Sequence, residues 1–145
     1  MTPDEDAFDT LMAEVLAGAD RFGHRQHVYL TWLAVRRFGT SHAMSLVSAG
    51  IQRTARYAGA PQKYHETMSR AWVELVGHHV EHDVDVPDEG DSGLSAFDAF
   101  ADRNPALLDK RLLTRFYRST TLASDAARTG WVEPDLAPFP WLALT

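Results

Sequence analysis

A chain of 145 residues, 45% hydrophobic and 23% charged, has the profile of one globular domain over residues 1–145, too apolar for disorder and too short for two independent cores. Fourteen basic against twenty acidic residues leave a net charge of −6, which repels nucleic-acid phosphates and anionic membranes, and the lack of cysteine excludes disulfides, thiolate nucleophiles and cysteine-ligated metal. The acidic start, MTPDEDAFDT, is unlike a signal or transit peptide and no apolar run approaches ~18 residues, so the expectation is a soluble cytoplasmic protein.

Phe8, Leu11, Met12, Val15 and Leu16 recur at helical spacing behind Pro3 and a cluster of acids, which predicts a first helix over residues 3–17. A second helix over 24–38 carries His27, Leu30, Thr31, Ala34 and Phe38 on one face and Val28, Trp32 and Val35 on the next, a breadth that suits a central position. Gly39 stops it, and Thr40 or Ser41 can cap a third helix with the stripe Met44, Val47, Ile51, Thr54, Ala55 and Ala58. Small Ala43, Ser48 and Gly50 allow a neighbour to approach that helix closely. Gly59 and Pro61 end the run and open a fourth helix with Tyr64, Met68, Ala71, Trp72, Leu75 and Val76 inward.

Residues 81–93 lose the pattern and hold six acids, which predicts an exposed acidic loop. Leu94, Phe97, Phe100 and Ala101 make a short fifth helix, and Asn104–Pro105 starts a sixth that runs through Leu108, Leu112 and Phe116. A last short helix is expected over 121–129, closed by Gly130. Residues 131–145, with Pro134, Pro138 and Pro140 among Trp131, Leu136, Phe139 and Trp141, are too apolar for a free tail and form a strap. No alternating strands and no fixed-period repeat occur, so the predicted fold is an all-α compact bundle of six to seven helices.

The seven histidines are unevenly placed. If the second and fourth helices are parallel, their N-termini share one end of the bundle and His24, His27, Tyr64 and His65 converge. Imidazolium is disfavoured beside the positive ends of helix dipoles, so these rings should be neutral and available for proton abstraction or a metal, while the same N–H groups suit an anion. His24, His27 and His65 would supply three nitrogen ligands for a divalent metal, with Glu66 as a fourth, although no HExxH spacing supports it and the same rings can simply cap and pack.

The rest of the chain offers weaker chemistry. His78, His79 and His82 lie too far along the fourth helix to join that cluster, and a polar helix end accounts for them without a ligand. The acidic loop has proline and aspartate where a calcium loop needs other residues. Ser41, His42 and Ser45 lack the carboxylate and the turn of a serine triad, and no phosphate-binding glycine pattern occurs.

The segments HRQHVYLTW (24–32), KYHET (63–67), NPALL (104–108) and LASDAARTGWVEPDLAPFP (122–140) together resemble a group of small, uncharacterised bacterial all-α proteins. Its pattern joins a histidine-led helix, a Tyr-His-x-Thr segment and a C-terminal strap of the form PDLxPxP. The resemblance covers about residues 22–140 and names no reaction; it implies that His27, Tyr64, His65, Thr67 and Arg128 belong to the shared pattern.

The function expected is small-molecule binding at the shared helix end, with His27, His65 and Tyr64 as acid/base groups of an enzyme. His24, Thr67, Trp32, Trp72 and Arg128 would bind the substrate, Arg128 by neutralising an anion. Two rivals remain: a ligand-binding or sequestering protein without turnover, and an interaction module that uses the strap around Trp141 or the first helix. The partners expected are a small ligand and, in a homo-oligomer, a second copy of the chain, rather than nucleic acid or a membrane.

Overall fold

Helix formation begins at Thr2, whose side chain accepts the Glu5 backbone N–H and so caps α1, Pro3–Leu16. The computed structural model describes residues 2–83 and 93–139; most of the predicted acidic loop and the end of the predicted strap, Trp141 included, lie outside the described residues. The further helices are α2 (His24–Phe38), α3 (Thr40–Tyr57), α4 (Glu66–Glu81), α5 (Leu94–Arg103), α6 (Ser119–Leu122) and α7 (Asp125–Thr129). Short 3-10 turns occur at Pro61–Lys63, Pro105–Leu108 and Leu112–Arg115, and no strand occurs among the described residues. The protein is an all-α bundle.

A single residue, Gly39, links α2 to α3; its φ of +85° lies in the region that side chains disfavour, and the reversal is sharp for that reason. Gly39 is also the N-cap of α3, in place of the hydroxyl cap expected from Thr40 or Ser41. Thr40, at the start of α3, instead donates to Glu81 at the end of α4, so α3 and α4 run antiparallel and α2 and α4 parallel. The register follows from two contacts: His24 packs on Trp72 and Trp32 lies beside Val80, eight residues further along both helices.

α2 is the central helix. Residues 28–35 are all buried, and Trp32 meets Tyr29, Phe97 and Phe100 in the core. α1 lays Phe8, Leu11 and Val15 against the pair α2/α3, each buried side chain contributing roughly 1.5–3 kcal/mol. The approach is close because position 50 is glycine: a Cβ there would lie 2.1 Å from Phe8 Cδ2.

Three predicted elements differ in the structure. The fourth helix begins at Glu66, not at Pro61, because a 3-10 turn and the extended residues Tyr64 and His65 intervene. The predicted sixth helix is two 3-10 turns, and Asn104 does not cap it; its side-chain amide donates to the Phe100 carbonyl behind it. The last predicted helix is two short ones, the second capped by Ser124 on the Ala127 N–H.

Beyond Gly130 the chain crosses the bundle without regular structure. Thr67, fully buried, donates to the Gly130 carbonyl (2.7 Å) and accepts the Val132 N–H (3.1 Å). Tyr117 donates to the Val132 carbonyl, Asp135 accepts the Arg118 N–H, and Phe139 is buried against Phe116 and Tyr117.

Candidate functional site

The helix directions bring the starts of α2 and α4 to one side of the bundle, but with a stagger. His24 lies level with Trp72, and Trp72 is seven residues past His65, about 10 Å at ~1.5 Å per residue. His65 is thus below the start of α2, and no ring contact or hydrogen bond joins it to His24 or His27 among the described residues. The three imidazoles are thus not gathered around one shared hollow.

Each histidine is accounted for by its surroundings. His65 is the N-cap of α4: its Nδ1 accepts the Met68 N–H at 3.1 Å and its Nε2–H donates to the Leu122 carbonyl at 2.7 Å. Both ring nitrogens are occupied, which leaves no lone pair or proton for a substrate. His24 donates from Nε2 to the Leu107 carbonyl at 2.9 Å and stands edge-on to Trp72, 4.7 Å between ring centroids. His27 packs near Phe22 and His24, and burial, with the neighbouring His24 second, pulls its pKa down to about 4. It is neutral near pH 7.

The metal set of His24, His27, His65 and Glu66 is not assembled. Among the described residues no group of three or more His, Asp or Glu side chains is placed to hold an ion. The His78 and His82 rings meet at 4.3 Å between centroids, tilted by 38°, and His82 Nδ1–H donates to the His78 carbonyl. Trp32, expected as a wall of the histidine pocket, lies two turns further along α2, buried in the core with the Arg36 guanidinium over its ring at 4.9 Å, and lines a small cavity beside Val80 and Arg103. Thr67, expected to orient a substrate, is the buried anchor of the 130–132 crossing described above.

Tyr64 and Arg128 do meet, in a different place. A groove of about 520 Å³ is lined by Gln52 of α3, Pro61 and Gln62 of the 3-10 turn, Tyr64, Glu66, and Asp125, Arg128 and Thr129 of α7. The Tyr64 hydroxyl donates to Glu66 Oε1 at 2.5 Å. Burial, then the bond to Glu66, pushes the Tyr64 pKa up to about 12, while the hydroxyls of Ser48 and Ser69 oppose the shift. The phenol is therefore a proton donor near pH 7 and not a base.

Arg128 reaches across from α7 to donate through Nη2 to the Gln62 carbonyl, which ties α7 to the turn and closes one side of the groove. Glu66, Asp125 and Arg128 take part in no ion pair among the described residues. Charges of both signs thus face one concave surface with no direct ion pair among them. This arrangement can hold a polar molecule by direct charge-assisted hydrogen bonds.

Gln52, Asp125 and Thr129 were not singled out from sequence. The Asp125–Arg128 spacing of three residues on a capped helix was the available signal, since it sets both side chains on one face. Gln52 carried none. No family model, curated protein or solved structure matches this chain.

Proposed function

We propose that this protein binds a small polar ligand in the groove between the Pro61–Lys63 turn, the start of α4 and α7, and that it does so without chemical turnover. The observation that carries the reading is the set of unpaired charges, Glu66, Asp125 and Arg128, on a groove of about 520 Å³, a size within the range of small-molecule sites. Tyr64, fixed as a donor by its bond to Glu66, orients the carboxylate and lines the groove. The resemblance noted in the sequence implies a shared pattern that includes Tyr64 and Arg128.

Binding is favoured over acid/base catalysis because the groups that would move protons are withheld: His65 is bonded at both nitrogens, Tyr64 keeps its proton, and neither His24 nor His27 lines the groove. The net charge of −6 favours a small molecule over nucleic acid or an anionic membrane as partner. The described residues also contain no helix long and apolar enough to cross a membrane.

The test is a thermal-shift screen of polar metabolites. A ligand at one hundred times its Kd stabilises by about 2.7 kcal/mol, a rise of roughly 5–10 °C for a domain of this size. Hits should lose their effect in Arg128→Gln and Tyr64→Phe and keep it in His27→Gln. Stabilisation that survives both groove substitutions and disappears in His27→Gln would move the site to the histidine pair.

A further inference from the structure

Charge counting narrows the ligand class, on the reading that this groove is the binding site. Its ionised groups are two carboxylates, Glu66 and Asp125, and one guanidinium, Arg128, with Gln52, Gln62, Tyr64 and Thr129 as neutral polar partners. Arg128 gives one Nη2 hydrogen to the Gln62 carbonyl and keeps its other N–H donors for a carboxylate. Glu66 accepts the Tyr64 proton at one oxygen and has its second oxygen for another donor. Asp125 is exposed, makes no side-chain hydrogen bond among the described residues, and stands three positions from Arg128, about 5–6 Å away on the helix surface.

An anion alone would meet two carboxylates, and a cation alone would meet Arg128. A neutral polyol would make use of none of the three charges. We infer that the ligand is a basic amino acid, of L-lysine or L-arginine type, whose carboxylate is held by Arg128 and whose two cationic groups are held by Glu66 and Asp125. Its net charge of one also cancels that of the groove.

The experiment is an amide NMR titration of the full-length chain with L-lysine, L-alanine, 1,5-diaminopentane, L-glutamate and glycerol. The amides of Gln52 and Thr129 should shift on adding L-lysine. Each exposed ion pair is worth about 1.5- to fivefold in affinity, so L-lysine should bind tighter than L-alanine and tighter than 1,5-diaminopentane by that factor. Arg128→Gln should reduce L-lysine to the level of 1,5-diaminopentane, and Asp125→Asn should reduce it towards L-alanine. Should Arg128→Gln lose helical circular dichroism because the Gln62 contact is gone, Asp125→Asn carries the test alone.

Equal binding of L-lysine and 1,5-diaminopentane, or of L-lysine and any of the other three, overturns the ligand class. So does the absence of groove shifts with all five probes. In that last case a thermal-shift hit that depends on Arg128 keeps the groove as a binding site, and the lack of any such hit removes the site together with the ligand.

Discussion

Replacing His65 with alanine separates a structural role from a catalytic one. The side chain makes two bonds that hold distant parts of the chain: Nδ1 caps α4 at Met68, and Nε2–H reaches the Leu122 carbonyl at the end of α6. Loss of the cap costs ~1 kcal/mol, and leaving the part-buried Leu122 carbonyl without its donor adds roughly 1–2 kcal/mol. The sum, about 2–3 kcal/mol, lowers Tm by roughly 6–12 °C in a chain of this length. His65→Asn should recover about 1 kcal/mol, because asparagine caps a helix but does not reach α6. Urea unfolding followed at 222 nm reads both. A His65→Ala protein as stable as the parent would refute the assignment, as would an unchanged stability accompanied by loss of ligand binding.

Three further outcomes follow from the packing. His27 takes up a proton near pH 6.5 when unfolded but only near pH 4 when folded, so stability is level above 6.5, falls as pH drops towards 4, and is level again below; the full drop is at most about 3 kcal/mol. His78 and His79 are also lowered by burial and add to the slope, so the readout is the difference between the urea midpoints of the parent and His27→Gln across pH 4–8, and parallel profiles would contradict the burial of His27. Thr67→Val removes both bonds to residues 130–132 and should cost about 2–4 kcal/mol, with a change in Trp131 fluorescence before global unfolding; coincident transitions at the parent's midpoint would show that the anchor is dispensable. Gly50→Ala drives a Cβ into the Phe8 ring and should cost roughly 1–3 kcal/mol while exposing α1 amides to hydrogen exchange ahead of those of α2; full protection of α1 would mean that the two helices are not in contact.

Helix identity was legible wherever apolar residues recur on one face over several turns, as in α1 to α5. It failed where local capping decided the matter. Residues 104–116 carry helical spacing at Leu108, Leu112 and Phe116, yet Asn104 turns its amide back onto Phe100, and Asp109 accepts the Arg111 N–H, so the segment breaks into two 3-10 turns. Tyr64 carries the helical spacing of α4, but it and His65 precede the first turn, because the histidine ring itself supplies the cap.

Helix direction alone did not place the site. Parallel directions for α2 and α4 follow from the short Gly39 link and the return of α3, but the axial stagger is set by the packing of His24 on Trp72, seven residues past His65, which puts His65 about 10 Å from the level of His24. The later start of α4 leaves Tyr64 extended beside the 3-10 turn, where its hydroxyl reaches Glu66 instead of an imidazole. Arg128 was expected from its sequence surroundings to meet an anion, but its place opposite Tyr64 was not legible. That place is fixed by the Gln62 carbonyl and by the Thr67 hydroxyl, which holds Gly130 immediately beyond α7 against α4. A fully buried threonine inside a helix thus positions a groove that it does not line, and its loss should weaken ligand binding through the orientation of Arg128.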